Sequence, residues 1–339
     1  MTIVTGVTAR VPAKLNLQLA VGPPRADGYH DLVTVFHAVA LFDEVTVEVA
    51  ERDTVTVTGE GASTVPHDGD NLALRAVAAL RKQVRGGNRT AGVRVSIAKR
   101  IPVAAGLAGG SADAAAALVA ANELWAAGLT PQRLAEIAAT IGSDVAFALL
   151  GGTAVGRGRG ERLTPALAPA TRYHWVLAFA EGQLSTPKVY AALDRLRASQ
   201  GPEGPGRSGG TGSPSRIGGI PGGRLPGDST APGGLALDTA LMSALRSGDA
   251  ARLGRALSND LQPAALSLYP ALRKTLAAGL ELGALGALVA GSGPTCVFLA
   301  ANAERALELA VSLSGAGVCR SVARVTGPVP GAAVVPAQG

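Results

Sequence analysis

Three early stretches of the chain, 7–21, 31–50 and 54–58, carry alternating or β-branched runs, the period of strands. Over 71–84 the period changes to that of a helix, with Leu72, Ala76, Ala79 and Leu80 recurring on one face. A strand at 93–98 and a loop at 102–110 follow, and an alanine-rich helix runs over 111–125. Thr130 is a good N-cap with Pro131 at the first helical position, and opens a helix reaching about 139. The second part starts near Thr171, with a strand at 174–180 and a helix at 187–197. Helices at 236–246, 250–257 and 270–280, strands near Ala287 and Cys296, a helix at 303–313 and a strand near Val322 complete it. Strands and helices mix without a regular βαβ alternation, so the class is α+β. The length suits two domains. They are expected at 1–165 and 166–330, the second interrupted by an insert at 200–234.

Composition narrows the class. Of 339 residues, 47% are hydrophobic and 17% charged, which excludes global disorder. Aromatics are only 3%, so the core must be built from Ala, Val and Leu. The insert differs: 13 of its 35 residues are Gly and 6 are Pro, too little apolar surface to offset chain entropy, so it reads as disordered. It also holds the chain's GxGxxG match, Gly204, Gly206 and Gly209, without the strand before and helix after that a dinucleotide fingerprint needs.

A net charge of +6 suits an anionic partner: nucleotide, nucleic acid or membrane surface. Lysine occurs only five times, and basic residues are not interleaved with aromatics, which argues against a nucleic-acid platform. Residues 282–303 are uncharged but broken by four Gly and one Pro, so they read as a core element around a turn rather than a membrane span. The N-terminus lacks the features of a signal peptide, and Cys296 and Cys319 read as reduced thiols. A soluble, cytoplasmic protein, monomeric or weakly dimeric, is expected, without nucleic-acid or membrane partners.

Three segments carry candidate chemistry. The first is Pro102-Val103-Ala104-Ala105-Gly106-Leu107-Ala108-Gly109-Gly110-Ser111-Ala112, between a strand and a helix. Free N–H groups and the dipole at a helix start favour anions, and Gly106, Gly109 and Gly110 let backbone approach a polyphosphate. It is not a Walker A loop, because the chain has no Gly-Lys dipeptide. A plain glycine-rich lead-in to a helix is the competing reading. In the second segment Lys14 and Asn16 lie two apart on a strand and share a face, as either a solvated edge or a site. In the third, Asp144 follows Gly142-Ser143 before an apolar run, as either a helix cap or a carboxylate near a reacting hydroxyl. Asp43 and Glu44 are adjacent on a strand and face opposite sides, so they do not make a glycosidase pair.

Taken together these segments resemble the GHMP kinase superfamily. Pro12-Ala-Lys-Leu-Asn-Leu and Arg25-Ala-Asp-Gly-Tyr-His30 are similar to the branch that phosphorylates a cytidyl diphosphate sugar-alcohol in the non-mevalonate (methylerythritol phosphate) isoprenoid pathway. The resemblance also takes in 101–113, 142–145, 184–190 and 289–296. It implies a two-domain fold, with an N-terminal ATP-binding domain containing a left-handed βαβ unit and a C-terminal ferredoxin-like α/β sandwich. It implies ATP as phosphoryl donor, with Mg2+. Asp144 would be the general base on the substrate's C2 hydroxyl, and Lys14 would orient that hydroxyl and offset charge on the transferring group. Residues Pro102 through Ala112 would cradle ATP, with Ser111 toward the metal. Tyr29 and Tyr190 would stack on cytosine and His30 would bond to its edge. Asn16, Thr186 and Pro187 would line the pocket, and Asn71 would lie near the adenosine.

Two departures stand out. Ala108 replaces a family glycine and is expected to need only ordinary φ, and Ala112 replaces a serine, leaving any metal contact to Ser111, water or phosphate. Arg157, Arg159 and Arg162 read as a solvated glycine-rich hairpin, and His37, His67 and His174 as structural. The competing functions are a GHMP kinase for another alcohol, such as homoserine or mevalonate, and a non-catalytic nucleotide- or nucleic-acid-binding protein.

Overall fold

The computed structural model describes residues 6–84, 92–167, 171–199 and 235–336. The insert at 200–234 lies outside the described residues. Two long strands, β1 (Gly6–Pro24) and β2 (His30–Ala50), pair antiparallel around a turn at 25–29. Next come β3 (Thr54–Gly59), α1 (Leu72–Arg81) and β4 (Gly92–Lys99); β3 and β4 pair in parallel, with α1 in the connection between them. Asn71 is the N-cap of α1, accepting from the Ala73 N–H and donating to the Pro66 carbonyl. Then follow α2 (Gly109–Leu124), α3 (Pro131–Ile141), α4 (Ser143–Leu150), β5 (Thr153–Gly158) and β6 (Arg162–Pro165).

The second half holds β7 (Tyr173–Phe179), α5 (Thr186–Ser199), α6 (Thr239–Ser247), α7 (Ala250–Ala256), β8 (Ser258–Asn259) and α8 (Gln262–Leu268). It ends with α9 (Leu272–Glu281), β9 (Gly286–Val289), β10 (Cys296–Ala300), α10 (Ala303–Gly315), β11 (Ser321–Gly327) and β12 (Ala333–Val334). The class is α+β, as expected.

The first sheet runs β12-β1-β2-β4-β3. The start of β2 also pairs β5, which pairs β6, and β8 adds to β1. The second sheet, β11-β7-β10-β9, is wholly antiparallel. Alternation along its strands serves two cores. Trp175, Leu177 and Leu299 join one, with Leu241 and Leu245 of α6 and the interior of the first sheet. Val176 and Phe298 join the other, with Val189 of α5, Leu276 of α9 and Leu309 of α10. In the first core α2 contributes an almost continuous buried alanine run, which lets it lie close against its neighbours.

The strand and helix periods therefore read correctly over most of the chain. Helices α4 and α8 are additions: each is a single apolar segment of seven or eight residues, too short to display a period. Helix α6 starts at Thr239 rather than at 236, because Asp238 caps it by accepting from the Ala240 and Leu241 N–H groups. Strands β8 and β12 are also additions, two residues each. Both come after the proposed 165/166 division, yet they pair with β1 in the first sheet.

Candidate active site

Lys14 and Asn16 are buried, at 8% and 3% exposure, which removes the reading of a solvated edge. Lys14 Nζ donates to Asn16 Oδ1 at 2.7 Å, as two residues on one strand face can. Asn16 Nδ2 in turn donates to Thr34 Oγ1 at 2.8 Å, and Thr34 Oγ1 donates to the Gln18 carbonyl at 2.7 Å. This chain runs from β1 into β2 and fixes the rotamers of both residues.

Asp144 occupies the first turn of α4, while Gly142 stands at the cap position. It is therefore not a cap. It lies across from Lys14, with Nζ and Oδ2 3.8 Å apart. That separation is an ion pair without a direct hydrogen bond, so both groups keep valences for a third atom placed between them.

The loop before α2 is tied to β1 by the Lys14 N–H, which donates to the Leu107 carbonyl at 3.3 Å. Among the described residues no side chain caps α2, so its first N–H groups are left for another acceptor. The Ser111 hydroxyl, in the first turn, makes no hydrogen bond within the described residues. Ala108 contradicts expectation. Its φ is 60°, left-handed, and Ala104 at φ 52° is left-handed too. The turn into α2 needs that conformation whether or not glycine supplies it, at a cost of about 1–2 kcal/mol per non-glycine residue. Ala112 is buried in the core.

Residues 289–296 close the site from the second sheet. A Cβ at Gly106 would lie 1.9 Å from the Ala290 carbonyl oxygen, so only glycine allows this approach. A Cβ at Gly291 would lie 3.3 Å from Lys14 Nζ and 3.4 Å from Asn16 Oδ1. Ser292 Oγ hydrogen-bonds with Thr186 Oγ1 at 2.9 Å, bringing in the start of α5. Thr186 and Pro187 are exposed there.

Tyr190, further along α5, is half-buried. Burial, with the Asp144 charge adding to it, pushes its phenol up to about 12, so it stays neutral. Its ring lies 4.9 Å from that of His30. Lys14, Asn16 and Asp144 thus form one set and Tyr190 and His30 a second, with the Asp144 charge felt at the Tyr190 phenol. Tyr29 stands apart from both, 57% exposed in the turn, with the Arg159 guanidinium 5.0 Å over its ring. Arg159 is exposed, as expected of a solvated hairpin residue, and its guanidinium also reaches over the Tyr29 ring.

One buried network has no counterpart among the residues expected to form the site. Lys99 Nζ donates to Asp43 Oδ2 at 2.5 Å and to Asp113 Oδ2 at 2.7 Å, all three buried. Asp43 Oδ1 accepts from the Arg100 and Ile101 N–H groups at 2.6 and 2.8 Å. The network thus joins the strand entering the glycine-rich loop to the helix leaving it. Burial pushes the Asp113 carboxyl up to about 7; the Lys99 charge opposes this and the Asp43 charge adds to it. Burial also works against the Lys99 charge, but the two carboxylates outweigh it and hold its pKa above the ordinary value. The legible signal was Asp113 itself, a carboxylate inside an alanine run that must find a partner if buried.

The fold and this site define a class, the GHMP kinases. The family profile "GHMP kinases N terminal domain" matches 71–152, and "GHMP kinases C terminal" matches 241–319. A 4-diphosphocytidyl-2-C-methyl-D-erythritol kinase of Mycolicibacterium gilvum (strain PYR-GCK) is 52% identical over 98% of this chain and 93% of that protein. One of Mycolicibacterium smegmatis (strain ATCC 700084 / mc(2)155) is 53% identical over 99% and 94%. A crystal structure of 4-(cytidine 5'-diphospho)-2C-methyl-D-erythritol kinase superposes with a TM-score of 0.67 at 31% identity, covering 94% of this chain and 98% of that one. The chain belongs, within the GHMP kinases, to the family of the 4-diphosphocytidyl-2-C-methyl-D-erythritol kinases.

Proposed function

We propose that the protein transfers the γ-phosphoryl group of ATP to the C2 hydroxyl of 4-diphosphocytidyl-2-C-methyl-D-erythritol, releasing ADP, in isoprenoid precursor synthesis by the methylerythritol phosphate pathway. The observation that carries this is the open Lys14–Asp144 pair beside an uncapped helix start, with Tyr190 and His30 as the second set. The free N–H groups of α2 suit the ATP phosphates. A hydroxyl between Lys14 and Asp144 can donate its proton to the carboxylate while the ammonium holds its oxygen in line. Phosphoryl transfer has a loose transition state, so the proton leaves late and Asp144 acts as its acceptor through placement. Lys14 also offsets charge on the transferring group. Its ammonium donates to a neutral partner, Asn16, and faces the Asp144 carboxylate across 3.8 Å.

The Ser111 hydroxyl, an oxygen ligand beside the phosphate-binding helix start, fits a magnesium ion carried with the nucleotide, and Ser111 is the residue that would hold it. When bound, that ion neutralises phosphate charge. Tyr190 supplies a neutral aromatic face for the cytosine and His30 a ring edge. Tyr29 is free to fold its exposed ring over the base, with Arg159 behind it.

The first test is Asp144→Asn. Turnover is expected to fall at least a hundredfold while ATP binding by calorimetry stays within about threefold, because the amide keeps the shape but cannot take the proton. Near-normal turnover would remove Asp144 as the base.

A further inference from the structure

His30 begins β2 and is buried, with Nε2 lying 3.0 Å from Asp194 Oδ1. Asp194 and Tyr190 are four residues apart on α5 and so share a helix face. One face of that helix thus holds the imidazole twice, by its plane through Tyr190 at a 38° tilt and by one nitrogen through Asp194. The other nitrogen, Nδ1, has no hydrogen-bond partner among the described residues and is not fully buried, so it stays open to a ligand.

The chemistry of this arrangement is directional. A carboxylate only accepts hydrogen bonds, so the nitrogen facing Asp194 must carry a proton. In a neutral imidazole the second nitrogen is then a bare acceptor. An acceptor matches the 4-amino group of cytosine, which donates, and opposes the 4-keto oxygen of uracil, which does not.

We infer that Asp194 is a positioning residue for base choice: by keeping the proton on Nε2 of His30 it presents Nδ1 as an acceptor and selects cytosine over uracil. This rests on the cytidyl reading above. It adds to that reading a residue outside the expected pocket and a specific discrimination. A donor–acceptor mismatch of one buried hydrogen bond corresponds to roughly a hundredfold in kcat/KM.

Two measurements test it. In the intact protein at pH 8, 15N NMR of labelled histidine, with His30 assigned by its loss in His30→Gln, is expected to report Nε2–H and a pyridine-like Nδ1. A proton on Nδ1 overturns the inference. In steady-state assays the wild type is expected to prefer the cytidine-diphospho substrate over its uridine-diphospho counterpart by about a hundredfold. Asp194→Asn can donate as well as accept, so it releases the tautomer while preserving the contact. It is expected to cut that preference at least tenfold with KM for ATP unchanged within about twofold. An unchanged preference in a folded Asp194→Asn protein overturns the inference and leaves the kinase reading standing. Absence of wild-type turnover with either nucleotide substrate, from protein that binds ATP, overturns the cytidyl reading and this inference with it.

Discussion

At the scale of single residues, the site works by leaving valences open. Lys14 is buried with a neutral amide as its hydrogen-bond partner, and Asp144 stops 3.8 Å short of it. Two-residue spacing was enough to place Lys14 and Asn16 on one face. The partner across the gap comes from residues 130 positions later and is brought in by tertiary packing. Ala108 shows the converse. Its chemistry was readable, but its φ is set by the turn it occupies rather than by residue type. Ala108→Gly is therefore expected to stabilise the protein by about 0.5–1 kcal/mol, relief of the left-handed penalty partly offset by glycine's larger unfolded-state entropy. Thermal unfolding of the two proteins side by side measures it; a lower melting temperature for the glycine variant would contradict the strain assigned to this turn.

At the scale of elements, helix α2 is held from below rather than capped from above. The Lys99–Asp43–Asp113 network anchors both ends of the glycine-rich loop, and losing one partner of so buried a set is costly because it leaves the others buried without their hydrogen-bond partner. Strand β2 carries a second buried polar group of a different kind. His37 hydrogen-bonds through Nδ1 with Thr153 Oγ1 at 2.8 Å, its Nε2 has no partner among the described residues, and Tyr173 and Trp175 stand edge-on to it. Burial depresses its pKa from 6.5 to about 3. Between those values the unfolded chain binds a proton that the folded chain refuses. Its contribution to stability is thus complete above pH 6.5 and is lost as pH falls toward 3. Between pH 7 and pH 5 the loss from His37 is expected to be about 2 kcal/mol. Urea unfolding at the two pH values checks it, with His37→Gln flattening the difference; an equal slope in wild type and variant would contradict the assignment. That His37 is structural was readable from its isolation in the sequence. That it is trapped neutral was not, because its surroundings come from β5 and β7.

At the scale of the whole molecule, the candidate site lies where the two sheets meet. The first sheet contributes Lys14 and Asn16, its covering helices the uncapped α2 and Asp144, and the second sheet the 289–296 turn that closes over Gly106. Strand and helix periods were legible for both halves because each is built on long regular elements. The short ones, α4 and β8 among them, escaped because they hold their shape through neighbours rather than through their own pattern. The basic balance of the chain takes on meaning at this scale, since nucleotide and cytidyl diphosphate are both anionic. Within the described residues no helix is long and apolar enough to cross a membrane.

The function of the protein turns on which alcohol accepts the phosphoryl group. The most direct measurement is ADP release from ATP and magnesium with 4-diphosphocytidyl-2-C-methyl-D-erythritol, homoserine or mevalonate as acceptor, followed by 31P NMR of the product. Turnover confined to the cytidyl compound, with a new phosphomonoester at its C2 oxygen, is the predicted result. Turnover with homoserine or mevalonate instead would keep the Lys14–Asp144 chemistry and contradict the base-binding pocket at Tyr29, His30 and Tyr190.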